Sequence, residues 1–88
     1  MKVNLYKALA SLRNEKEIET FLQDLCTPGE IRAMKERWLV AQALYEGKLS
    51  YREIQTKIGS SLATITRVAR FLKDEPYGGY RSVLERRK

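Results

Sequence analysis

The 88-residue chain contains no histidine and a single cysteine, Cys26. Without histidine it lacks the commonest acid–base side chain and the commonest metal ligand. One cysteine permits neither an internal disulfide nor a thiolate metal cluster, and Cys26 reads as a small buried residue. No apolar run is long enough to span a bilayer, and the N-terminus lacks a signal-peptide core, so a cytoplasmic protein is expected. Alternating strand patterns, internal repeats, paired carboxylates and phosphate-cradling glycine loops are also missing. Neither an enzyme nor a cofactor is therefore expected.

What is present is 43% hydrophobic and 32% charged, the composition of a folded protein. The length suits a single domain over residues 1–88, whose small core would gain from oligomerisation. The net charge of +6 is unevenly placed. In residues 1–47 seven basic and seven acidic residues cancel, whereas residues 48–73 hold six basic residues and one acidic. Residues 74–88 add four basic and three acidic. A polyanion is the simplest partner for a basic excess confined to one segment. A membrane surface would attract the same charge, but no strongly apolar, lysine-rich amphipathic stretch accompanies it, so no membrane partner is expected.

That segment, SYREIQTKIGSSLATITRVARFLK over residues 50–73, reads as two short helices joined by a tight turn. Ser50 and Glu53 have the spacing of a capping box, and Ile54 and Ile58 share a face. Gly59 suits a left-handed helix end, and Ser60 or Ser61 can cap the second helix. In that helix Leu62, Ile65, Ala69 and Leu72 recur at steps of three and four and are expected to face inward. Ala63, Arg67 and Arg70 fall opposite them, flanked by Thr64 and Thr66. Arginine pairs bidentately with guanine, threonine reaches bases or phosphates, and a short side chain allows close approach. The pattern is that of a helix-turn-helix, which lays its second helix in the major groove of duplex DNA. An amphipathic helix pair with a solvated basic face would show the same spacing; the charge distribution favours the DNA reading.

The remainder reads as helical scaffold. Residues 4–12 place Leu5, Leu9 and Leu12 on one face. Asn14 and Glu17 can cap a helix carrying Ile18, Phe21, Leu22 and Leu25. Thr27, Pro28 and Glu30 start a third, running to about Tyr45 and ending at Gly47. This helix is apolar on more than one side: Ile31, Met34, Trp38, Ala41 and Tyr45 form one row, widened by Leu39, Val40, Ala43 and Leu44. Such a helix needs neighbours on several sides, which argues for an intertwined dimer, although a simple core helix has the same composition. After Pro76 and Gly78-Gly79, a last helix with Tyr80, Val83 and Leu84 should pack back on the core or on a partner, followed by the basic cluster Arg86, Arg87 and Lys88.

Thr27-Pro28, Gly47-Lys48-Leu49-Ser50 followed by Arg52-Glu53, and Ala63-Thr64-Ile65-Thr66-Arg67 together resemble the tryptophan repressor family, from about Leu25 to Lys73. The resemblance implies an all-α, six-helix, intertwined homodimer that binds palindromic operator DNA. It also implies a corepressor pocket in which Arg37 brackets the indole and Arg67 meets the carboxylate, with Thr27 at a further pocket position. Val68 stands where the family has a glycine, Phe71 where it has a serine, and Trp38 where it has a smaller aliphatic residue. Valine would intrude on the ring position, and phenylalanine would replace a polar partner of the ligand's amino group. The protein's own side chains are thus expected to fill the site, and no small-molecule effector is expected.

On double-stranded DNA, Arg52, Lys57, Arg70 and Lys73 are expected to pair mainly with phosphates. Gln55, Ala63, Thr64, Thr66 and Arg67 would lie nearest the base edges. A homodimer would present two such helices to successive major grooves, roughly 34 Å apart. The alternatives are a helix-turn-helix-shaped module binding an acidic protein, and non-specific association with nucleic acid.

Overall fold

The computed structural model describes residues 2–86, so Arg87 and Lys88 of the terminal basic cluster lie outside the described residues. Among the described residues there are six helices and no strand: α1 (Leu5–Ala10), α2 (Glu15–Leu25), α3 (Pro28–Glu46), α4 (Tyr51–Ile58), α5 (Leu62–Lys73) and α6 (Gly79–Arg86). The chain divides into two compact units, Met1–Arg32 and Ala33–Lys88, with the boundary inside α3. No helix is long and apolar enough to cross a membrane.

In the first unit, short-range polar contacts start each helix. The Asn4 side chain accepts from the Lys7 N–H at 2.9 Å, and that of Asn14 accepts from the Glu17 N–H at 2.9 Å. Glu17 reaches back one residue beyond the cap, accepting from the Arg13 N–H at 2.9 Å. Thr27 and Glu30 form the expected reciprocal pair: the Glu30 N–H donates to Thr27 Oγ1 at 3.1 Å, and the Thr27 N–H to Glu30 Oε1 at 2.8 Å. α1 is shorter than its sequence pattern, because Ser11 closes it. No side chain of α1 or α2 is buried: Phe21 and Leu22 are half-buried, and Ile18 and Leu25 are 42% and 50% exposed.

The second unit has a closed core. Val40, Ala41 and Ala43 of α3 meet Ile54 of α4 and Ile65 and Val68 of α5, ringed by Trp38, Leu44, Leu49, Ile58 and Tyr80. α5 packs on both α4 and α6, and Leu84 of α6 is buried. Arg81 donates through its guanidinium to the Leu72 carbonyl at 3.0 Å, closing the end of α5 from α6. Gly47 (φ 73°) ends α3 and Gly59 (φ 78°) ends α4, both left-handed conformations that cost glycine little. Leu39 faces outward, 51% exposed.

One inward assignment in α5 fails. Leu62 is 51% exposed, whereas Val68 is 1% exposed and completes the buried arc with Ile65, Ala69 and Leu72. At about 100° per residue, Leu62 lies at the edge of that arc. It is also the first residue of α5, where no earlier turn shelters it.

Candidate nucleic-acid interface

α4 and α5 form the basic module, and their ends are fixed by side chains adjacent in sequence. The Glu53 N–H donates to Ser50 Oγ at 3.1 Å, and the Ser50 N–H donates to Glu53 Oε1 at 2.8 Å. The backbone donation from Ser50 holds the Glu53 carboxyl below its ordinary value of 4.5; the Ser50 hydroxyl pulls the same way and Lys57 adds a smaller pull. Between the helices Ser61, not Ser60, caps α5, accepting from the Thr64 N–H at 3.1 Å. Its hydroxyl also donates to Thr64 Oγ1 at 3.0 Å.

The expected DNA-facing residues separate by position. Ala63, Thr66, Arg67, Arg70 and Lys73 are exposed along one side of α5, opposite its buried arc. Thr64 is half-buried and tied into the cap. On α4, Arg52 and Lys57 are exposed and Gln55 is half-buried. The charge excess is therefore carried outward, and a groove-sized helix presents small, hydroxyl-bearing and guanidinium side chains together.

Two arginines are held by a contact the sequence did not announce. The Arg67 guanidinium carbon lies 4.3 Å from the centroid of the Phe71 ring, and that of Arg70 4.9 Å. Phe71 in turn stacks on Tyr77, with centroids 6.2 Å apart and planes 13° from parallel. Arg70 also meets Glu75, Nε to Oε1, at 3.9 Å. Stacking engages a guanidinium face while its N–H edge stays available, so the ring restricts these side chains without consuming their donors. The spacing of Arg67 and Phe71, four residues apart on a helix, was the available signal.

The residues matched to the corepressor pocket also converge, with one exception. Arg37, Arg67, Val68 and Phe71 line a concavity of about 410 Å³ together with Tyr77, Gly79 and Tyr80. Thr27 belongs to the first unit, where its side chain caps α3. Among the described residues no cluster of carboxylates and cysteine forms that could hold a metal ion.

Two short helices, a left-handed glycine turn and a basic second helix packed on a three-sided core define a helix-turn-helix protein. The sequence model of the family described as Trp repressor protein matches residues 3–88. The chain is 41% identical over 86 residues to the uncharacterized protein YerC of Bacillus subtilis, covering 96% of this chain and 79% of that one. It is 39% identical over 72 residues to a Trp operon repressor homolog of Chlamydia trachomatis, 77% of each chain. The crystal structure of a TrpR like protein from Eubacterium eligens superposes with a TM-score of 0.86 at 40% identity, covering 93% of this chain and 82% of that one. The chain belongs to the Trp repressor family, a family of DNA-binding regulators rather than enzymes.

Proposed function

We propose that the chain is a sequence-specific transcriptional repressor that acts as a homodimer on a palindromic operator, without tryptophan as corepressor. The observation that carries the reading is the outward face of α5. Ala63, Thr66, Arg67, Arg70 and Lys73 are exposed there, while Ile65, Val68, Ala69 and Leu72 fix the opposite face in the core. Arg52, Lys57, Arg70 and Lys73 anchor phosphates, and Gln55, Ala63, Thr64, Thr66 and Arg67 address base edges.

Dimerisation is supported by apolar surface left uncovered in the single chain, including Ile18, Leu25 and Leu39. A two-fold dimer doubles the contacts one small module can make and ties recognition to half-site spacing. Independence from tryptophan is supported by chemistry rather than by volume. Phe71 brings an apolar ring to the concavity where the family pattern has a polar serine.

Selection from random duplex DNA, with and without free tryptophan, tests this. One palindrome should be enriched, with equal affinity in both arms and a steep fall with salt. Enrichment only with tryptophan would overturn the effector-free reading. A salt slope without sequence preference would mean non-specific binding, and a module for an acidic protein partner would give neither. Arg67→Ala with Arg70→Ala should abolish binding at concentrations where the parent saturates, with helicity unchanged by circular dichroism.

A further inference from the structure

Ser60 is 4% exposed, the one buried polar residue among the described residues. It does not cap α5, since Ser61 does. Its hydroxyl donates instead to Glu36 Oε2 at 2.6 Å, across 24 residues of sequence. A hydroxyl bound to a carboxylate oxygen at this distance is a short hydrogen bond. Glu36 stands on α3 beside Arg37, which lines the concavity shared with Arg67, and one turn before Val40 and Ala41 of the core. α3 is thus anchored by packing, and the turn it grips is flanked by core residues, Ile58 on the α4 side and Ile65 on the α5 side. To that packing the Ser60 hydroxyl adds a directional tie from the turn to α3.

We infer that Glu36 and Ser60 are positioning residues for DNA reading. Their hydrogen bond sets the depth and angle at which α5 is offered, and losing it lowers discrimination between operator and random duplex while leaving phosphate binding in place. The inference rests on the DNA-binding reading above. Base-edge hydrogen bonds tolerate small geometric errors poorly, whereas long basic side chains follow phosphates through them. Glu36 also places a negative charge near the N-terminus of α5, where the helix dipole favours it.

The test titrates the selected palindrome and a scrambled duplex of equal length with the parent, Ser60→Ala, Glu36→Ala, the double variant and Glu36→Gln, at one salt concentration. Each alanine variant should lower the ratio of the two affinities about tenfold, the scale of losing one hydrogen bond to a charged group. The double variant should do no worse than either single one, because both remove the same bond. Glu36→Gln retains a carbonyl acceptor and should keep most of the ratio. Without DNA, the Thr64 and Ile65 amides should exchange with solvent faster in Ser60→Ala, by more than the amides elsewhere in α5, while the thermal midpoint falls by about 5–10 °C. If Glu36 acts only by its charge, Glu36→Gln and Glu36→Ala will raise affinity for both duplexes equally and Ser60→Ala will change nothing; that pattern overturns the inference. So does unchanged amide exchange. Ser60→Ala adds no bulk, so it keeps the test readable if a Glu36 variant fails to fold. A parent chain that selects no palindrome overturns the DNA reading itself, before any variant is made.

Discussion

In the unit over residues 33–88, Ile54 and Ile65 are completely enclosed, whereas in the unit over residues 1–32 neither α1 nor α2 buries a single side chain. Yet α2 carries an apolar stripe, Ile18, Phe21, Leu22 and Leu25, as regular as that of α5. An amphipathic pattern specifies a face, not what covers it. α5 finds cover in α3, α4 and α6 of its own chain. The stripe of α2 remains half in water, and in the homodimer proposed above a second copy supplies its cover. The proposed reading head is thereby carried by the unit whose core is closed.

Three experiments act on this contrast, in falling order of effect. Ile54→Ala opens a cavity in the closed core and should lower unfolding free energy by about 2–5 kcal/mol, measured by urea denaturation. A loss below 1 kcal/mol would mean that the core is less dry than Ile54, at 0% exposure, indicates. Leu25→Asp places a charge in the half-exposed stripe and should convert the dimer to monomers by sedimentation velocity at micromolar concentration, with helicity largely kept. A dimer that persists would place the interface elsewhere and leave the first unit's apolar face unexplained.

The smallest effect concerns the α4 cap. Because the Glu53 carboxyl is held below 4.5 in the fold, it stabilises the folded state above that pH, and this contribution is lost as pH falls through the lowered value. The stability difference between parent and Glu53→Gln should therefore be constant near neutrality and shrink on acidification. A difference that stays flat with pH would show that the cap works without the charge.

Much of this architecture was legible because its causes are local. Ser50 with Glu53, Thr27 with Glu30, and Asn14 all act within about one helical turn, and each was visible as a residue pair at fixed spacing. Gly47 and Gly59 end helices for the same local reason. The exposed arc of α5 followed from periodicity, whereas the family resemblance singled out Arg37, Arg67, Val68 and Phe71 before the structure set them around one concavity.

What stayed hidden depended on partners far along the chain. Ser60 and Ser61 are identical side chains side by side, and either could cap α5 by propensity. Leu62 and Val68 are both apolar and both lie three residues from Ile65, so spacing from that residue did not decide between them.

By itself, the sequence determined six helical segments, most of their ends, and a basic helix with an outward arginine face, because backbone capping and helical period act over three or four residues. Only tertiary structure decided that Ser60 turns in to Glu36, that Val68 rather than Leu62 meets Val40 and Ile54, and that Phe71 lies under Arg67 with Tyr77 against its ring. The first two choices are settled by which atoms α3 and α4 bring to the turn and to the inner side of α5, and the third by the chain beyond α5 that brings Tyr77 back to it. Apart from the four-residue spacing of Arg67 and Phe71, no window of neighbouring residues contains that information.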